Sequence, residues 1–172
     1  MKYANSYHAL ANFGRELLDK KTLSEGLPLI SVYAKNVIGA QRCSIFINDA
    51  KSQELWTTIS DGVEKIIVPS AQGLVGATLK TKKPIMTNDP YTHPDFLSDV
   101  DKETGFDTKN VITAPIFSSK RHILGVLQLI NKSGDFDEED KRFMVFFAHY
   151  ISGFLELTNV YLIEDEQLKR EH

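Results

Sequence analysis

One cysteine, Cys43, stands among the 172 residues. A lone thiol excludes an intrachain disulfide, a cysteine-rich zinc site and any chemistry that needs a resolving cysteine. Long apolar runs are missing too. The most apolar stretch, Ile123–Ile130, falls far short of the roughly 20 residues of a membrane-spanning helix. Met1–His8 is too polar for a signal peptide. No membrane partner is expected, and the chain reads as cytoplasmic, in a reducing compartment. Basic excess is also lacking: Lys and Arg total 20 against 23 Asp and Glu, a net charge of −3. Nothing in that balance favours a phosphate backbone, so nucleic acid is not an expected partner.

Catalytic motifs are equally scarce. There is no Walker loop, no Gly-x-Ser-x-Gly elbow and no Gly-x-Gly-x-x-Gly. His8, His93, His122, His149 and His172 are scattered, with no pair four residues apart, so no metal is expected. The acids Asp89, Asp95, Asp99, Asp101, Glu103 and Asp107 crowd one segment. Their spacing does not fit a calcium-binding EF-hand, and a solvated acidic loop is the better reading.

What is present is ordinary globular material, 42% apolar or aromatic and 25% charged. On a prior of roughly 150 residues per domain the length gives one domain. Tyr3 to Lys21 reads as a helix, with Tyr3, Leu10 and Leu17 at heptad spacing and Tyr7 and Phe13 beside the same stripe. Thr22-Leu23-Ser24-Glu25 fits a capping box ahead of a second helix, which carries Pro28 in its first turns and stops at Gly39. Three strands follow as an antiparallel meander: Cys43–Ile47, Glu54–Ser60 and Lys65–Val68. Gly73–Lys80 reads as a short helix, and Pro84–Thr87 as an edge element. Asn88–Asn110 is a long irregular segment anchored by Phe96 and Phe106. Such loops are usually functional or disordered, and the anchors favour an ordered lid with one helical turn. Val111–Phe117 and Ile123–Ile130 read as two more strands.

The acids Asp135–Asp140 open a last helix from about Asp137 to Lys169, roughly 50 Å long. Phe147, Phe154, Tyr161 and Leu168 repeat along it at heptad spacing, Tyr150 and Leu157 fill the alternate position, and Glu164 interrupts the seam. Two readings stand for its first half, a core-facing stripe or a self-pairing coiled coil. Pairing is favoured beyond Thr158. The expected architecture is α+β, with five or six mostly antiparallel strands, terminal helices on one face and the short helix and lid on the other. A sheet with a lid can hold a small ligand.

Individual residues have two readings each. Gly73-Leu74-Val75-Gly76 is a tight strand-to-helix turn, or a helix start whose N–H groups hold a phosphate. Thr104 and Thr108 are caps or ligand hydroxyls. Cys43 reads as a buried strand residue, and Trp56 as packing.

Taken together, these residues resemble a GAF domain, most closely the regulatory GAF domains of cyclic-nucleotide phosphodiesterases and related bacterial adenylyl cyclases. The resemblance spans about Leu23 to Leu155. It rests on Arg42-Cys43-Ser44-Ile45-Phe46, Glu54-Leu55-Trp56-Thr57, Pro69 with Gly73-Leu74-Val75-Gly76, and Asp89-Pro90-Tyr91. It continues through Asp101-Lys102-Glu103-Thr104-Gly105-Phe106, Thr108-Lys109-Asn110-Val111 and Gly125–Lys132. The family's Asn-Lys…Phe-x-x-x-Asp-Glu signature is met at Asn131, Lys132, Phe136 and Asp140, while Lys141 replaces the final Glu.

The resemblance implies a six-stranded antiparallel sheet with N- and C-terminal helices on one face and a short helix plus lid loop on the other. It divides the chain into an N-terminal helix (1–21), the GAF domain (22–157) and a C-terminal helical extension (158–172) towards an effector domain missing from this chain. It implies that Lys132 and Asp140 brace the fold as an ion pair. Ser44 would line the base end of a bound nucleotide and Asp61 would face the base edge. Leu74 and Val75 would offer N–H groups to the cyclic phosphate. Thr104 and Thr108 would reach phosphate and ribose, Phe96 and Leu97 would close over the sugar, and Gln128 would stand on the last strand. Ser60 occupies a position that is often aromatic and stacks on the base. Having no aromatic ring there would cost about 0.5–1.5 kcal/mol on an aromatic-pair scale.

The implied function is a non-catalytic sensory domain that needs no cofactor, takes cAMP or cGMP as leading small-molecule ligand and signals through the terminal helices of a homodimer. The alternative is a dimerisation or interaction module with a degenerate or differently specific pocket. The free methionine sulfoxide reductases share the fold but use several cysteines, so an enzyme is not expected. A bilin is not expected either, because Cys43 lies on the first strand and not beside the lid.

Overall fold

The structure, a computed structural model, describes residues 2–4, 6–49, 51–58, 65–69, 72–98, 105 and 107–170, with backbone alone at 7, 58, 65–69 and 159–170. In chain order the elements are α1 (Ser6–Leu18), α2 (Leu23–Ile38), β1 (Ala40–Asp49), β2 (Glu54–Thr58), β3 (Lys65–Pro69), α3 (Gly73–Thr81), β4 (Ile85–Thr87), β5 (Val111–Phe117), β6 (Ile123–Lys132) and α4 (Glu138–Arg170). Among the described residues, a 3-10 turn, Pro90–Thr92, lies between β4 and β5. The strands make one sheet in the order β3–β2–β1–β6–β5–β4. Every neighbouring pair is antiparallel. This is the α+β architecture expected from the sequence.

Alternation sets the two faces. Ile45 and Ile47 of β1, Leu127 and Leu129 of β6, and Ile112, Ala114 and Ile116 of β5 share one buried face. Ile30, Ala34 and Ile38 of α2 and Met144, Phe147, Ile151 and Leu155 of α4 fill the same core. The first half of α4 is therefore a core-facing helix. α1 forms an outer layer on α2 and α4: Phe13 stacks on Tyr33 at 4.3 Å and meets Phe147 at 5.7 Å. Tyr3 departs from the expected helix. It lies in a turn before α1, where Ser6 N–H bonds its carbonyl at 3.0 Å, and its ring stacks on Phe143 at 4.4 Å.

Local signals fix α2. Thr22 Oγ1 accepts Glu25 N–H at 3.3 Å, Glu25 Oε2 accepts Lys21 N–H at 3.1 Å, and Gly39 closes the other end. Pro28 lies deeper than a first-turn position, so the exposed Ser24 loses its helical N–H partner. β4 pairs only as far as Thr113, so no strand on that side asks Pro115 for a donor. In β6, Gly125 stands opposite Ile47, and a Cβ there would lie 2.1 Å from the Phe46 carbonyl oxygen.

α3 covers the opposite face. Val75 and Leu79 pack with Leu55, Val126 and Phe46. Gly73 enters α3 at φ +71°, a backbone state that side chains disfavour. Among the described residues no helix is long and apolar enough to cross a membrane, and no group of three His, Cys, Asp or Glu side chains could hold a metal.

Candidate functional site

Register places Ser44 opposite Gln128 and Gln128 opposite Thr113. The three side chains form a polar row across β1, β6 and β5, on the face that α3 covers. Thr113 is fully buried and tied to α3: its hydroxyl oxygen lies 2.6 Å from Thr78 Oγ1 and accepts Ile85 N–H at 3.2 Å. Thr78 also donates to the Leu74 carbonyl at 2.8 Å. Ser44 and Gln128 stay half-buried. Above the row, Leu74 and Val75 occupy the first turn of α3 and are buried. Gln72 flanks that turn in extended conformation and its side chain makes no capping bond. The start of α3 thus presents backbone N–H dipoles with no acidic residue beside them in the turn.

Part of the space beneath α3 is occupied by Phe46, Leu79, Val75, Leu55 and Val126. A separate groove of about 870 Å³ runs along the outer side of α3, lined by Ala77, Lys80, Asn48, Asp95 and His122 among others. Ser60, Asp61 and Thr104 lie outside the described residues. Leu97 is half-exposed and sits against Gly73, at the start of α3. Phe96 packs edge-on against Tyr91 at 5.3 Å. Thr108 is buried, and its N–H donates to Tyr91 Oη at 3.1 Å. The structure therefore sets Ser44 and Gln128 side by side on the face that α3 covers, with Leu74 and Val75 in the first turn of that helix and Leu97 beside Gly73 at its start. It fastens Thr108 and Phe96 to Tyr91.

The two ends of the lid are tied to the end of β6 and to the loop that follows it. At the start, Asn88 Nδ2 donates to the Phe136 carbonyl (3.0 Å) and Asn88 Oδ1 accepts Phe136 N–H (2.8 Å). At the end, Asn131 Oδ1 accepts Lys109 N–H (2.7 Å) and Asn131 Nδ2 donates to the Asp107 carbonyl (2.9 Å). Asn110 bonds both Lys132 N–H and the Gly134 carbonyl, each at 2.8 Å.

Lys132 Nζ reaches Asp140 Oδ2 at 2.7 Å, and the Asp140 carboxylate is fully buried. Asp140 also accepts Asp137 N–H (2.9 Å) and the Tyr3 hydroxyl, with Lys2 Nζ at 3.0 Å. Burial pushes its pKa up. The bonds from Lys132, Tyr3, Asp137 and Lys2 outweigh that, and the carboxyl ends below its ordinary value. The Lys2 ammonium, with the Asp140 N–H, holds Asp137 at about 2. Lys141 turns away and pairs with Glu138 at 3.0 Å, so the brace forms without the family's Glu.

Cys43 lies on the helix side of the sheet, and burial pushes its thiol up to about 12. It is not a thiolate near neutral pH. Trp56 packs on the same core. Sequence reasoning missed Thr78, Thr113, Asn88 and the Tyr3–Asp140 bond. The available signal for Thr113 was a lone hydroxyl inside an otherwise apolar strand.

The GAF domain family matches residues 22–155. A probable 3′,5′-cyclic phosphodiesterase of Caenorhabditis elegans is 26% identical over 144 residues, 75% of this chain and 20% of that protein. A dual 3′,5′-cyclic-AMP and -GMP phosphodiesterase 11A of Takifugu rubripes is 28% identical over 163 residues, 82% of this chain and 18% of that protein. The chain thus spans about a fifth of these relatives. The GAF domain of a phosphoenolpyruvate-protein phosphotransferase from Coxiella burnetii superposes with a TM-score of 0.76 at 24% identity, covering 88% of this chain and 93% of that one.

Proposed function

Because the chain belongs to the GAF domain family, we propose that it is a regulatory, non-catalytic sensor domain that binds a cyclic nucleotide, cAMP or cGMP, and signals through the terminal helices of a dimer. The observation that carries this reading is the polar row beneath α3. Ser44 and Gln128 are cross-strand partners, half-buried on the face that α3 covers, where Thr78 of α3 meets Thr113 of the same row. A cyclic nucleotide has two needs there. Its base edge needs hydrogen-bonding side chains, and its phosphate needs N–H donors with little net charge nearby. Ser44, Gln128 and Asp61 serve the base, and the N–H groups of Leu74 and Val75 serve the phosphate. Thr104 and Thr108 serve phosphate and ribose, with Phe96 and Leu97 over the sugar. The names of the relatives, cyclic phosphodiesterases, favour the same ligand class. Binding changes the helices only as far as the nucleotide prefers one arrangement of them over another.

Titration calorimetry with each cyclic nucleotide tests the reading. Heat of binding and a raised melting temperature are expected, and silence at millimolar ligand rejects it. Asp61→Ala, Thr104→Ala and Gln128→Leu should each weaken binding about tenfold, the loss of one hydrogen bond of about 1.4 kcal/mol, while the fold survives. The apolar filling around Phe46 and Leu79 favours a second reading, an interaction module with a reduced pocket. A dimer that gives no heat with either nucleotide would select it.

A further inference from the structure

α1 and α4 run side by side and leave an apolar groove of about 770 Å³ between them. Leu17, Leu18, Tyr150, Phe154 and Leu157 line it, and Arg15, Lys20 and Lys21 form a cationic rim. Leu18 is 81% exposed and Leu157 63% exposed, an unusual state for two leucines lying together on one face. Along α4 the exposed side chains Phe146, Tyr150 and Leu157 continue the same stripe.

α4 runs on from Thr158 to Arg170, about 18 Å at the helical rise. The sequence there is apolar and then acidic: Val160-Tyr161-Leu162-Ile163 followed by Glu164-Asp165-Glu166. That composition complements an apolar groove with a cationic rim. The helix is continuous through Thr158, so the extension is carried away from its own groove and can fill only that of another copy.

We propose that the groove between α1 and α4 receives residues 159–170 of a second copy of this chain, antiparallel, so that two copies exchange helix ends about a two-fold axis. Each copy gives one groove and one extension, so the contact is isologous and closes at two. A parallel pairing would set Glu164–Glu166 against their own copies, like charges in register. An antiparallel one carries them towards Arg15, Lys20 and Lys21. The proposal deepens the dimer clause of the function proposed above and is independent of the nucleotide.

Analytical ultracentrifugation of the full chain across micromolar concentrations tests it. The wild type should be a dimer. The triple reversal Arg15→Glu, Lys20→Glu, Lys21→Glu should weaken the dimer at least tenfold, and so should Glu164→Lys, Asp165→Lys, Glu166→Lys. The two sets combined should restore it. Arg15, Lys20 and Lys21 lie outside the core, and an unchanged melting temperature and circular dichroism spectrum would confirm that the variants fold. A wild-type monomer at 100 μM overturns the proposal. So does a dimer indifferent to either reversal. Calorimetry with cAMP and cGMP on the same variants separates the two questions: heat retained by a monomeric variant leaves the sensor reading standing without the exchange.

Discussion

Asp140→Ala should lower the stability of the fold by about 3–5 kcal/mol, the cost of removing one partner from a buried ion pair. Few single changes in this chain should cost more. The carboxylate is fully buried, yet it satisfies Lys132, the Asp137 N–H and the Tyr3 hydroxyl together. Alanine leaves the Lys132 ammonium and a buried phenol without their acceptor. In a domain of this size the melting temperature should fall by roughly 10 °C. Lys132→Met should cost less, because Tyr3, Lys2 and the Asp137 N–H still hold Asp140. Lys132→Met combined with Asp140→Ala should cost less than the sum, since the stranded charge is gone. Chemical denaturation of the four proteins measures this. Additive losses would mean that Lys132 and Asp140 do not act as a pair.

The same carboxylates set an acid limit. Asp137 is held at about 2 and Asp140 below its ordinary value. A carboxylate with a depressed folded pKa contributes stability that is complete above its unfolded pKa, about 3.9, and is lost as pH falls through the folded value. The unfolding midpoint of the wild type should therefore be flat above about pH 5 and fall steeply from pH 4 towards 2. Asp140→Ala should start lower and fall less over that window. Parallel curves would remove Asp140 from the acid response.

Much of the fold was legible because its signals are local. Thr22, Glu25 and Gly39 bracket α2 within the chain itself, and alternation in β1 and β6 separates Ile45 and Leu127 from Ser44 and Gln128. What escaped is held by distant partners. β1 extends to Ala40 because Lys132 pairs with it across the sheet. Tyr3 fits a helical stripe by spacing, but Asp140 and Phe143, far along the chain, draw it into a turn. The candidate site divides in the same way. The resemblance supplied Ser44, Leu74, Val75 and Gln128. That Ser44 and Gln128 are neighbours is a fact of register, which no single segment encodes. The lid is fastened by Asn88 and Asn110 side chains on distant backbone, and carboxamides in a polar loop carry no pattern that reveals such partners.

Register also makes Gly125→Ala a severe change, expected to cost about 3 kcal/mol, the upper part of the usual range for overpacking. The new Cβ would lie 2.1 Å from the Phe46 carbonyl oxygen and 3.2 Å from its carbon. Both are backbone atoms of the neighbouring strand, so no rotamer change relieves the contact. β6 cannot retreat either. β5 flanks it on the other side, with Ile116 opposite Gly125, so a shift away from β1 presses on β5. Ser44 and Gln128 lie along the same β1–β6 pairing, so any binding that uses them should weaken together with stability. Gly153→Ala is the opposite case. That glycine lies inside α4 with open space where a Cβ would stand, and alanine should add about 0.5–1 kcal/mol. Urea unfolding of the two variants, with hydrogen exchange at β1 and β6 amides, reads both signs. An unchanged midpoint for Gly125→Ala would mean that β1 and β6 can part without loss, and the polar row they hold in register could not be a fixed floor for a ligand.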